Sequence, residues 1–206
     1  MEKAGPWRAL RQSSRGGVAG TAGVFMDEAW PPRLPPWTRP AAWQAVMAAL
    51  DHHLSLPHFR CRDEVRQKAG AISHLMARLD RPMDAVSRVT CAECGDPCCL
   101  RATLWFDFVD LLVMRSTCQP WPPGQPMAAV GARCRYLGPT GCRLPRIQRP
   151  WICTWYLCPR QTAHLETVWP SQREAITRLI AGVKQLRQAL DNAFIDVAIG
   201  RLERGR

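Results

Sequence analysis

A mainly α fold is predicted for this 206-residue chain: a small helical domain around an irregular, cysteine-rich middle. Three observations predict it. Apolar residues recur every three or four positions on both sides of the middle, the spacing that lines one face of a helix. The stretch between them is broken by turn signals and crowded with cysteine. With 47% apolar and 22% charged residues the composition is that of a globular chain and excludes a disordered one.

Taken in order, residues 1–40 are rich in Gly, Pro and Trp, with Trp-Pro-Pro-Arg-Leu-Pro-Pro-Trp at 30–37. Proline fixes φ and removes a backbone donor, so this segment is expected as a flexible arm, with Met26 as an alternative start. Residues 41–206 are expected as the helical domain. Ala41, Trp43, Val46, Met47 and Leu50 set its opening helix. A second helix is expected from Asp63, a capping residue, to about Leu79, with Val65, Ala69, Ile72, Met76 and Leu79 as its stripe and Pro82 after the stop. Inside the middle, one helix is expected around Asp107–Arg115, and Leu-Gly-Pro-Thr-Gly at 137–141 marks a turn. The last helix carries the strongest pattern. Pro170, then Ser171 and Glu174 as a capping box, precede Ile176, Leu179, Ile180, Val183, Leu186, Leu190, Phe194 and Val197. That stripe is expected to pack into the core. A coiled-coil seam is disfavoured because Ile180 and Arg187 blur a strict heptad.

No stretch approaches the roughly 18 uninterrupted apolar residues of a membrane helix, so no membrane partner is expected. The N-terminal residues lack an apolar core followed by a cleavage site, and a cytoplasmic location is the expectation. There, clustered cysteines serve metal or catalysis more often than disulfides. The net charge of +11 is chiefly arginine and is spread along the chain, which makes nucleic-acid binding the less favoured explanation. Arginines can also offset the negative charge of thiolate–metal sites.

Eight of the ten cysteines fall between positions 91 and 158. Cys91-Ala-Glu-Cys94-Gly-Asp-Pro-Cys98-Cys99 forms one group; Cys134, Cys142, Cys153 and Cys158 form the other. A Cys-x-x-Cys turn lets two thiolates converge on one metal, and a distant second group completes the coordination, so the metal staples the fold. Zinc and iron–sulfur clusters both take four cysteines, so eight can serve two sites. Successive side chains diverge, so Cys98 and Cys99 are expected to serve different sites, or only one of them to ligate. Cys61 and Cys118 lie outside the pattern and are assigned no ligand role.

Cys91-x2-Cys94-Gly, the pair Cys98-Cys99, Cys134-Arg-Tyr-Leu-Gly-Pro-Thr-Gly-Cys142, and Arg149-Pro-Trp-Ile-Cys153 followed by Cys158 resemble the YkgJ-type cysteine-cluster proteins. The likeness covers roughly residues 88–161. It implies a zinc- or iron-chelating domain, often labelled an Fe–S oxidoreductase, with a related arrangement in flagellin lysine methylases. The family spacing has two residues before the paired cysteines; here Gly95, Asp96 and Pro97 make three.

Other candidates are weaker. Asp107 and Asp110 can share a helix face, with exposed helix charges as the favoured reading. Among His52, His53, His58, His74 and His164, only His164 lies near the cluster, where it can complete a Cys3His site. Arg149 is expected to hydrogen-bond carbonyls or thiolates near Cys153, and Trp151 and Trp155 flank that cysteine. The functional expectation is a metal-binding protein, possessing redox activity in one version. The alternative is a zinc-stapled adaptor that binds nucleic acid or an acidic protein through its basic surface.

Overall fold

The computed structural model describes residues 39–56, 63–92, 94–95, 97–129, 131–138 and 141–202, with only the backbone of residues 98, 101 and 198–202. The expected flexible arm and the alternative start at Met26 lie outside these, save for Arg39 and Pro40. Cys61 lies outside them too. The fold is mainly α, as the apolar periodicity requires.

Helix α1 (Pro40–Ser55) starts on a proline, whose fixed φ suits the first helical position. It buries Trp43, Met47 and Leu50. The Trp43 indole N–H donates to the Pro122 carbonyl at 3.1 Å, so this large side chain enters the core without stranding its donor.

Helix α2 (Asp63–Cys91) begins where expected, with Asp63 and Glu64 inside its first turn, where carboxylates meet the positive end of the helix dipole. It does not stop at Leu79. It runs through Pro82 to Cys91, twelve residues further than its sequence suggests. A proline inside a helix removes one hydrogen bond and costs about 3 kcal/mol. Beyond it, Met83 is 2% exposed and Val86 fully buried. Burying two such side chains contributes about 1.5–3 kcal/mol each, enough to carry the helix past the proline.

Helix α7 (Pro170–Leu202) lies along α2, the most extensive helix pairing in the fold. Its stripe is used within the chain: Ile176, Val183, Leu190, Phe194 and Val197 are buried, and Leu179, Ile180 and Leu186 pack against them. Gly182 faces Leu75 so closely that an added Cβ would stand 3.2 Å from its Cδ1. The expected capping box at Ser171 is not used. The helix already includes Pro170, and the Trp169 carbonyl accepts from the Arg173 N–H at 3.0 Å, which places Ser171 inside the first turn.

Between these long helices lie the short elements: α3 (Cys98–Arg101), α4 (Phe108–Ser116), strands β1 (Leu137–Gly138) and β2 (Gly141–Cys142), a 3-10 turn (Arg146–Gln148), α5 (Ile152–Trp155) and α6 (Pro159–Thr167). Helix α4 is buried from Phe108 to Met114 and forms the floor of the core. The irregular stretch after it is pinned by side chains. Gln125, 1% exposed, accepts from the Phe106 N–H at 2.7 Å and donates to the Phe106 carbonyl at 3.1 Å, and the Tyr136 hydroxyl donates to the Gly124 carbonyl at 2.6 Å. Such bonds replace the ladder that a segment without secondary structure lacks.

Candidate metal centre

The over-length of α2 delivers Cys91 to its last turn, and the Cys94 N–H donates back to the Cys91 carbonyl at 3.2 Å. Further along, β1 and β2 pair antiparallel, with Leu137 opposite Cys142 and Gly138 opposite Gly141. Gly141 has φ +115, a conformation that L side chains rarely adopt, so the glycine of the predicted turn meets a backbone requirement. The turn residues 139–140 lie outside the described residues. The hairpin brings Cys142 back toward Cys134, which is buried.

The segment between Cys142 and Cys153 is anchored by two arginines. Arg146, 2% exposed, pairs with Asp80 at 3.2 Å and with Asp84, both on α2. Arg149 donates from Nε to the Leu144 carbonyl at 2.9 Å and lies 3.7 Å from Asp84, so its expected hydrogen bond goes to a carbonyl. Cys153 follows on the single turn α5, half-buried, its N–H donating to the Pro150 carbonyl at 2.9 Å.

Cys158 is the N-cap of α6. Its sulfur accepts from the Gln161 N–H at 3.5 Å, and the Gln161 side chain accepts from the Cys158 N–H at 3.2 Å. The same Gln161 amide donates to Ser87 Oγ at 3.3 Å and to Cys91 Sγ at 3.8 Å. One buried glutamine therefore bridges the last turn of α2 and the first of α6, and ties Cys91 to Cys158.

Five of the described thiols thus gather in two groups. Cys91 and Cys158 meet through Gln161. Cys134, Cys142 and Cys153 lie within electrostatic reach of one another: burial, then the charges of Cys142, Cys134 and Asp110, push the Cys153 thiol up to about 12, against the pull of Arg149. Burial raises Cys134 as well, and Cys142 adds to that. Burial of this kind keeps the Cys134 and Cys153 thiols protonated until a cation compensates them, and all-sulfur donors suit zinc or iron. The chemistry of the donor set fits such a metal. Among the described residues, however, no three His, Cys, Asp or Glu side chains stand in a ligating arrangement. Cys94 and Cys99 are half-buried, and none of Cys91, Cys94, Cys99, Cys134, Cys142, Cys153 and Cys158 is in a disulfide; the Cys98 side chain lies outside the described residues.

Asp107 and Asp110 are not exposed helix charges. Asp107 is the N-cap of α4 in a reciprocal capping box with Asp110, at 2.8 and 3.1 Å. Arg187 reaches in from α7, pairs with Asp110 at 2.7 Å and with Asp107 at 2.7 and 2.6 Å, and lies over the Trp151 ring at 5.3 Å. Asp110 also accepts from the Trp151 N–H with both oxygens at 3.2 Å. Burial, with the charge of Asp107, pushes the Asp110 carboxyl up to about 7 despite Arg187. Two sequence signals could have found this network: an Asp-x-x-Asp box before an apolar run, and a cation in the middle of an apolar stripe.

His164 stands on α6 with its ring edge-on to Trp169 at 4.7 Å and its Nε2 buried without a hydrogen-bond partner, and among the described residues it is part of no group of three possible ligands. Trp151 packs against the core, whereas Trp155 is 42% exposed. Cys118, outside the pattern, is exposed. Among the described residues no helix is long and apolar enough to cross a membrane. Comparison with protein-family models, curated proteins and solved structures found no match to this chain.

Proposed function

We propose that this chain is a metal-binding protein that holds zinc or an iron–sulfur cluster through its cysteines, in the manner of the YkgJ-type proteins its spacing resembles. The observation that carries this reading is the convergence of Cys134, Cys142 and Cys153, brought from a hairpin and a separate helical turn into one electrostatically coupled group. Thiols placed together repel one another once ionised, a cost that a bound cation removes because the metal replaces their protons. Cys91, Cys94, Cys98, Cys99 and Cys158 supply the remaining donors, with Gln161 supporting two of them.

The test is elemental analysis and visible absorption of the full chain purified without oxygen. Iron with matching acid-labile sulfide and brown colour supports the cluster version; stoichiometric zinc in a colourless protein supports the zinc version. Protein that contains neither, and takes up neither on reconstitution, rules the reading out. Substitution of Cys134 or Cys153 by serine is expected to lower the metal content in either version.

A further inference from the structure

We infer that Asp110 and Arg187 are positioning residues for Cys153, holding the turn that presents this thiol to a metal; the inference rests on the reading of Cys153 as a ligand. Helix α5 is four residues long, and a single turn has no stability of its own, so its orientation is imposed from outside. The imposing contacts converge on Trp151, two residues before Cys153. Both oxygens of Asp110 accept its N–H, and the Arg187 guanidinium lies over its ring. Trp151 in turn sets α5: its carbonyl accepts from the Thr154 N–H at 2.8 Å and from the Trp155 N–H at 3.1 Å.

Arg187 is itself held in place, because its guanidinium grips Asp107 as well as Asp110 on the buried helix α4. A buried ion network is weak support for stability, since a well-packed apolar set is often as stable. What such a network supplies is fixed geometry. Here that geometry runs from α4 and α7 to the backbone two residues before one thiol. Partners of this sort behind a ligand commonly hold 10–100-fold in metal affinity.

The experiment titrates cobalt(II) alone into chelator-stripped full chain without oxygen, comparing wild type, Cys153→Ser, Asp110→Asn and Arg187→Met. Thiolate-to-cobalt charge transfer reports how many sulfurs bind, and the ligand-field bands report their geometry. Asp110→Asn leaves the Arg187–Asp107 pair in place and serves where Arg187→Met fails to fold. The expected result is a loss of charge-transfer intensity matching that of Cys153→Ser and an affinity about 10–100-fold weaker, with the circular dichroism of the metal-free protein unchanged. Wild-type intensity and affinity in both variants overturn the inference while leaving the metal reading intact. So does a loss of metal-free helicity in both, which makes the network a folding element. Identical spectra for wild type and Cys153→Ser remove Cys153 as a ligand, and the inference falls with it.

Discussion

The α2–α7 frame and the stretch from Cys134 to Cys158 are held by different forces. In the frame, Leu79, Ile176, Val183 and Leu190 are fully buried, each worth about 1.5–3 kcal/mol, and the helices bond their own backbones. The cysteine stretch has two-residue strands and single turns, and its order comes from individual side chains: Arg146, Arg149, Gln161 and Asp110. A frame of this kind stands without a ligand. A stretch built on single polar contacts is the part whose geometry an ion can set.

The sharpest break in this comparison is Leu79→Ala. Truncating a fully buried leucine is expected to cost about 2–5 kcal/mol, equally with and without metal, as read by urea unfolding. An effect that depended on metal would show that the frame is not independent. Next in size is Arg146→Met, which removes charge-assisted bonds to two half-exposed aspartates and is expected to cost about 1.5 kcal/mol. Hydrogen exchange should quicken over residues 143–149 and stay slow in α7.

The electrostatics of the stretch give a pH signature in metal-free protein. The Cys153 thiol is held at about 12, above its ordinary 9.0, by burial and by the charges of Cys142, Cys134 and Asp110. The folded chain keeps a proton that the unfolded chain releases, so this contribution is present below pH 9 and lost as pH rises toward 12. Relative to Cys153→Ala, wild type should lose up to about 1.4 kcal/mol per pH unit across that window. Parallel curves would mean the thiol is not confined as described.

The smallest effect concerns Cys118, φ +55, just past the end of α4. The Cys118 N–H bonds to the Arg115 carbonyl at 3.2 Å and the Gln119 N–H to the Met114 carbonyl at 2.8 Å, the closing pattern in which glycine is favoured. Cys118→Gly is expected to stabilise by about 0.5–1 kcal/mol without altering metal uptake, measured by thermal unfolding.

Most of the frame was legible in the residues. The stripes at Trp43–Leu50, Val65–Leu79 and Ile176–Val197 are the buried faces observed. Pro82 misled about the end of α2, because a local rule weighs one lost hydrogen bond and cannot see the burial of Met83 and Val86 beyond it. The grouping of Cys134, Cys142 and Cys153 was open in the sequence, since spacing does not say which of eight thiols face each other. Asp110 looked like a surface charge because its partner, Arg187, lies 77 residues away.

The sequence by itself determined the helical faces, the turn at Gly141 and the concentration of thiols in the middle of the chain, because periodicity, glycine stereochemistry and cysteine spacing are local properties. Only the tertiary structure decided how far α2 runs, which cysteines share a neighbourhood, and that Asp107, Asp110 and Arg187 form a buried network behind Trp151. Each of those depends on which surfaces leave water together, and no local window of residues contains that information.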